Sequence, residues 1–413
     1  MSRIRTNKNI CLVCFGDLDT NRICMACKRK ADDSPAPLHH LPQRTVINNK
    51  YLLGKALGEG GFGITYLAWD TEAAIKVAIK EYYPSSYVTR VPKSNQVIIN
   101  AKNNLHASNR GLKRFIDEAK TLAKIKNLAG IVTVRDFFSA NGTAYIVMEF
   151  LDGVSLKKHM SRKGKLCFNE VVFLLRPVID SLAQVHTLGL IHRDISPDNI
   201  LITKNNEVKL IDFGAAKQSN FDGKSLSIVL KQGFAPEEQY RTHGEQGPWT
   251  DIYALGVTIY YCITGKMPPE SIQRMYKDTL VRPIELGAEI TEAQERALMK
   301  SLAVYSKSRY QDCIQFINAL YGNYRPSVNA IPDRIATTDS RDFGVTTPRS
   351  ASPPPVRTQP QQIVPPPPPP PVYTAPPSPP PVRTQPQSQT IPPTSDKPRK
   401  RGLFDVLFGR KKN

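Results

Sequence analysis

Apolar residues fall in two different periods along this chain. From residue 51 to residue 149 they come in short β-prone runs, at 64–68, 75–79, 132–138 and 144–147, separated by glycines and polar residues, a pattern that predicts strands. One stretch breaks it: Leu112, Phe115, Ile116, Ala119 and Ala123 recur at helical spacing, which predicts a single helix laid against a small sheet. After Gly153 helical spacing takes over. Val171, Leu174, Leu175, Val178, Leu182 and Val185 line one helix face, and residues 252–263 are apolar nearly all round, as in a helix buried on every side. The expected fold class is therefore α+β, a small β-rich lobe with one helix followed by a mainly helical lobe.

Neither period extends to the ends. Residues 31–44 contain three prolines, two acidic residues and no apolar repeat, so they read as a linker, and a domain of residues 45–322 follows. Beyond it most of the 35 prolines crowd together: the decapeptide Ser-Pro-Pro-Pro-Val-Arg-Thr-Gln-Pro-Gln occurs at 352–361 and again at 378–387, flanking seven consecutive prolines at 365–371. Residues 323–398 are expected to be a disordered proline-rich spacer, since they lack the apolar surface that folding needs. In the last segment, 399–413, Leu403, Phe404, Leu407 and Phe408 sit at helical spacing between basic flanks, a basic amphipathic tail expected to dock on an anionic membrane or in a partner's groove. No apolar run approaches the roughly 18 residues of a membrane span, and the first 15 residues lack the apolar core of a secretory signal, so a cytoplasmic location is expected. The net charge of +20 favours acidic partners without choosing among nucleic acid, lipid and protein.

Four of the seven cysteines add a further module. Cys11, Cys14, Cys24 and Cys27 form two Cys-x2-Cys pairs, nine residues apart, within residues 1–30. A segment that short cannot bury a core, and two thiolate pairs close a tetrahedral structural Zn2+ site, a small zinc ribbon with no position open for catalysis. Two disulfides are the competing reading, disfavoured because nothing points to an oxidising compartment. Cys167, Cys262 and Cys313 stand apart. The basic run Lys28, Arg29, Lys30 could touch nucleic acid, with binding that falls steeply with salt, but such a run is usually a solvated edge, so a protein-docking or structural role is expected for the module.

Within the main domain, residues suited to phosphoryl transfer follow one another in order. Gly58, Gly60, Gly61 and Gly63 lie between two strand runs, where backbone amides can approach phosphates, with Phe62 at the loop tip; such a loop taken alone is more often an ordinary hairpin turn. Lys80 follows in Val77-Ala78-Ile79-Lys80, where alternation puts Ala78 and Lys80 on one face. Glu118 shares a helix face with Phe115 and Leu122, which turns it toward the sheet and makes it the expected partner of that lysine; the bland alternative is a solvated helix glutamate. Further on come His192-Arg193-Asp194, Asn199 and Asp212-Phe213-Gly214, which together offer a base and two metal ligands.

Over roughly residues 50–320 these motifs resemble bacterial Hanks-type (eukaryotic-like) Ser/Thr protein kinases, here with an N-terminal zinc ribbon. The resemblance implies a two-lobed fold binding ATP and Mg2+ (or Mn2+) in the cleft, with protein substrates. It implies that Lys80 meets Glu118 and the nucleotide's phosphates, that Asn199 and Asp212 hold metal, and that Asp194 accepts the substrate hydroxyl's proton. Leu57, the loop glycines and Ala78 would contact the nucleotide, Met148 would be the gatekeeper, and Glu149 to Leu151 the hinge. Ala235-Pro236-Glu237 would close the activation segment with Glu237 on Arg309, and Asp251 would brace the catalytic-loop backbone. Arg193 beside Asp194 implies control by phosphorylation, for which Ser219, Ser225 and Ser227 are at hand. The alternative function is a kinase-like scaffold that gathers partners through the zinc ribbon and proline-rich tail.

One departure stands out. The lysine that the family carries two residues after the catalytic aspartate is Ser196 here, and its usual threonine partner, placed seven residues before Glu237, is Leu230. Ser/Thr against Tyr acceptance is less constrained as a result, and the neighbouring Lys231 is a candidate to restore the missing charge.

Overall fold

The computed structural model describes residues 9–31, 34–101, 105–125, 128–213, 231–241 and 243–321. The small lobe contains β1 (Val46–Ile47), β2 (Tyr51–Gly60), β3 (Gly63–Asp70), β4 (Ile75–Tyr82), the hairpin β5 (Val88–Arg90) and β6 (Val97–Ile99), α1 (Leu105–Lys124), β7 (Val134–Ala140) and β8 (Thr143–Glu149). Six of these strands form an antiparallel sheet in the order β1-β2-β3-β4-β8-β7.

This sheet is buried on both faces, which is why its strands read as apolar runs. Ala78 and Tyr82 on β4 pack toward α1 and join the core that continues into the large lobe. Val77 and Ile79 point the other way, into a second core closed by Leu41, Tyr66, Tyr83, Tyr145 and the β5–β6 hairpin. Sequence periodicity did not separate the two layers. It also misplaced the end of the α1 stripe: Phe115, Ala119 and Leu122 are buried while Ala123 is exposed, because steps of four and three residues from Phe115 reach Leu122.

The second core encloses a charge. Glu81, with no exposed surface, accepts hydrogen bonds from Arg90 Nη2 at 2.6 Å, Tyr145 Oη at 2.8 Å and Tyr66 Oη at 3.0 Å. Burial holds its pKa above the ordinary carboxylate value against the pull of Arg90 and the phenols. Arg90 also donates to the carbonyls of His39 and Asn95, so the pair pins the hairpin and residue 39 to β4.

The large lobe follows with β9 (Gly153–Ser155), α2 (Leu156–Lys163), α3 (Phe168–Thr187), β10 (Ile200–Thr203), β11 (Val208–Leu210), α4 (Glu237–Tyr240), α5 (Pro248–Thr264), α6 (Ser271–Tyr276), α7 (Glu292–Ser301) and α8 (Cys313–Tyr321). All six apolar residues predicted for one face of α3 are buried. Helix α5 is buried almost throughout and starts from Pro248 at its first position, where the missing N–H costs no hydrogen bond. Among the described residues no helix is long and apolar enough to cross a membrane. The expected serine phosphosites, the proline-rich region and the amphipathic tail lie outside the described residues.

Replacing Arg90 with Met leaves Glu81 buried without its cation, and the expected cost is about 3–5 kcal/mol of stability, measured by denaturant unfolding.

Candidate active site

The β2–β3 hairpin carries the glycine-rich loop. A Cβ added at Gly58, Gly60 or Gly61 would meet no atom within 4 Å, so this surface is open for a ligand to approach backbone amides. Gly63 is different, since a Cβ there would lie 2.5 Å from the carbonyl of Glu81 on β4. Phe62 is not an exposed cap: it is partly buried against the main core, and its carbonyl accepts the N–H of Tyr83 at 3.0 Å. Leu57 is exposed on β2, whereas Ala78 is buried where β4 pairs with β8 opposite Met148.

Lys80 lies on the α1 side of β4, as alternation requires, but its ion pair is not the expected one. Its Nζ meets Asp212 Oδ1 at 3.0 Å, and Glu118 lines the same cavity with Phe115, Met148 and Phe213. Asp212 reaches the lysine from a left-handed backbone, φ 60°, immediately after β11, which turns its carboxylate up to the sheet. Burial would strip Lys80 of its charge; the carboxylates of Asp212 and then Glu118 outweigh it and hold the pKa above the ordinary lysine value. Glu118 therefore acts on the lysine through its field, within a group of three charges.

The catalytic loop runs between α3 and β10. Asn199 Nδ2 donates to Asp194 Oδ2 at 2.7 Å and to the Asp194 carbonyl at 2.8 Å, fixing the carboxylate and leaving the amide oxygen as the atom able to ligate metal. His192 is fully buried, donates from Nε2 to the Ile211 carbonyl at 3.0 Å and accepts the Asp194 N–H at Nδ1. Burial holds its pKa below the ordinary value, in keeping with a neutral ring that donates at one nitrogen and accepts at the other. Asp251, at the start of α5, accepts the backbone N–H groups of His192 and Arg193, each at 2.8 Å. At the end of β8, Glu149 turns its carboxylate to Lys209 and the Thr133 N–H, and beyond it Leu151 packs against the core.

The model of the protein kinase domain matches residues 51–331. The chain belongs to the protein kinase family. It is 29% identical over 286 residues to a protein of Clostridium acetobutylicum named a probable serine/threonine-protein kinase, covering 67% of this chain and 40% of that one. It is 29% identical over 308 residues to the serine/threonine-protein kinase PknA of Mycobacterium tuberculosis, covering 70% of this chain and 66% of PknA. The solved structure of PpkA-294 in its apo form matches with a TM-score of 0.61 at 35% identity, over 68% of this chain and 99% of that one. The chain thus spans less than two thirds of the length of these two curated relatives.

In this kinase domain one expected contact is shifted by a residue. Arg309 holds Glu238, not Glu237, through Nη1–Oε1 at 2.8 Å and Nη2–Oε2 at 3.1 Å, with both residues buried. Glu237 instead pairs with Arg241 one helical turn on, at 2.5 Å. The short helix α4 begins at Glu237, and neighbouring residues on a helix point about 100° apart, so only the second of the two faces Arg309. Counting seven residues back from Glu238 reaches Lys231, not Leu230.

The cysteine segment packs on the small lobe of the kinase domain. Phe15 meets Trp69 at 5.7 Å between ring centroids, and Arg44 Nη2 donates to the Ile10 carbonyl. The Sγ atoms of Cys11, Cys14, Cys24 and Cys27 all lie within 4.8 Å of one another. The N–H groups of Val13 and Cys27 each point at a cysteine sulfur at 3.4 Å, as expected where sulfur carries negative charge. Residues 34–44, read as linker, run along the same lobe: the Leu41 N–H donates to Tyr66 Oη, and His39 and His40 donate from Nε2 to the two oxygens of Glu59 in the glycine loop, at 2.8 and 3.0 Å. Sequence reasoning passed over this contact because neither histidine belongs to a motif.

Arg309→Leu is expected to cost about 3–5 kcal/mol, since it strands the buried carboxylate of Glu238, read from thermal unfolding.

Proposed function

We propose that the protein transfers the γ-phosphoryl group of ATP to serine and threonine hydroxyls of protein substrates. The observation that carries this reading is the meeting, across the cleft, of the Lys80–Asp212 ion pair with the Asn199–Asp194 hydrogen bond, in a chain of the kinase family. The Asp212 carboxylate and the Asn199 amide oxygen are hard oxygen donors that suit Mg2+ or Mn2+. The metal, when bound, neutralises phosphate charge and aligns the nucleotide. Lys80, kept charged by its acidic neighbours, holds the α- and β-phosphates under the glycine loop. The adenine sits between Leu57, Ala78, Met148 and the segment from Glu149 to Leu151. As the acceptor oxygen bonds to the γ-phosphorus, the bond to the β-phosphate oxygen breaks, ADP leaves, and the hydroxyl proton passes to Asp194.

The four N-terminal cysteines fit a structural Zn2+ site, since thiolates in two Cys-x2-Cys pairs satisfy a tetrahedral ion. Its packing against Trp69 supports a structural role at the back of the small lobe.

Labelled ATP with Mg2+ should label serine or threonine in a basic protein acceptor, and Asp194→Asn should lower that transfer by roughly 10²–10⁴-fold, scored by phosphoamino-acid analysis. ATP binding without transfer by the intact protein would refute the reading. Metal analysis should find one Zn2+ per chain, absent from the Cys24→Ser variant; a metal-free protein with all four thiols unreactive would mean disulfides instead.

A further inference from the structure

Between the catalytic loop and the residues leading into α4 stands an ammonium group that the mechanism above leaves unused. Lys231 Nζ lies 2.7 Å from the hydroxyl of Ser196 and 2.6 Å from Asp198 Oδ2. Ser196, two residues beyond Asp194, is fully buried and brings no charge of its own. The lysine's attachment point is held firmly. Its carbonyl accepts the N–H groups of Phe234 at 3.0 Å and Ala235 at 3.3 Å, closing a turn that runs into α4, where Arg309 grips Glu238.

The charges around the reacting groups leave a place for this cation. Asp194 and Asp198 sit on the catalytic loop and Asp212 two residues beyond β11, and an incoming γ-phosphoryl group adds more negative charge. Lys80 is engaged with Asp212, from the sheet side. Among the described residues, the ammonium groups bonded to side chains of the catalytic loop are Lys231 and Lys157. Lys157 is 60% exposed and meets Asp198 Oδ1 at 3.3 Å, whereas Lys231 is 33% exposed and reaches the buried serine as well.

We propose that Lys231 is the cation that meets the transferring phosphoryl group, delivered from the segment before α4 and aimed by the hydroxyl of Ser196. The charged and the hydroxyl partner have thus exchanged segments: the loop beside the base supplies the short hydroxyl, and the facing segment supplies the long cation. Either arrangement puts an ammonium group between the same two pieces of backbone. Lys231 neutralises charge on the γ-phosphoryl oxygens while the acceptor hydroxyl's proton passes to Asp194 and ADP departs. This inference rests on the phosphoryl-transfer reading above and adds a catalytic residue to it.

The test is steady-state transfer from ATP to a basic protein acceptor, with thermal unfolding run on every variant. Lys231→Met is expected to lower kcat by about 10²-fold or more and leave the KM for ATP within about twofold, as for a donor felt mainly in the transition state. Lys157→Met removes the other ammonium on Asp198 and should leave kcat unchanged. The double exchange Ser196→Lys with Lys231→Thr should recover at least about tenfold over Lys231→Thr alone, because it returns the cation to the loop. Lys231→Met at the wild-type kcat, equal losses in Lys157→Met, or a folded double exchange no better than Lys231→Thr would each overturn the proposal. If the wild-type protein itself transfers nothing, the phosphoryl-transfer reading falls first and takes this one with it; an active wild type with an equally active Lys231→Met sinks the lysine's role alone.

Discussion

A carboxylate with no exposed surface, Asp251, holds the backbone on which the site is built. The loop must pass Arg193 in a left-handed conformation, φ 69°, which a residue with a side chain adopts only when its surroundings compensate. Asp251 supplies that compensation by accepting the N–H groups of His192 and Arg193, and it is itself bonded to His186 Nε2 at 2.8 Å. Burial alone would push its pKa up, but the hydrogen bonds from His186 and from the Arg193 backbone N–H keep it below the ordinary value. The strained turn sets the direction of Asp194, and Asn199 then locks that carboxylate from the other side. The Asp194 carboxylate is therefore held by neighbours on both sides, the preorganisation that the proposed phosphoryl transfer would depend on.

The small lobe solves a related problem with two cores. Lys80 must point into the cleft from β4, so the residues beside it must point away and find their own partners. Glu81 does so by meeting Arg90 and two tyrosine hydroxyls in the second core. The same pair reaches residue 39 through Arg90, and His39 and His40 hold Glu59 in the glycine loop. The segment ahead of the kinase domain is thereby bonded both to the strand that carries Lys80 and to the loop that would cover the phosphates. The cysteine segment adds its own contact with this lobe, Phe15 against Trp69.

Much of the fold and most of the site are legible in the sequence because the underlying physics is local. Alternation along β4 puts Lys80 and Ala78 on one face whatever surrounds them, helical spacing buries one side of α3, and open glycines between two strands form a loop. Asn199 and Asp194 are five residues apart on one loop, so their contact follows from spacing. The end of the α1 stripe was harder to read because Leu122 and Ala123 are both apolar neighbours, and packing against the sheet chose the larger one.

What the sequence by itself determined is the family and the two-lobed architecture, and it singled out the charged residues Lys80, Asp194 and Asp212. The tertiary structure alone decided which of these groups touch. Lys80 meets Asp212, 132 positions away, in preference to Glu118; Arg309 takes Glu238 over its neighbour Glu237; and Lys231 crosses to Ser196, 35 positions earlier. In each case several residues of suitable charge lay within reach of a plausible motif. The choice turned on a backbone angle or on the direction of one helical residue, set by distant parts of the chain packing together.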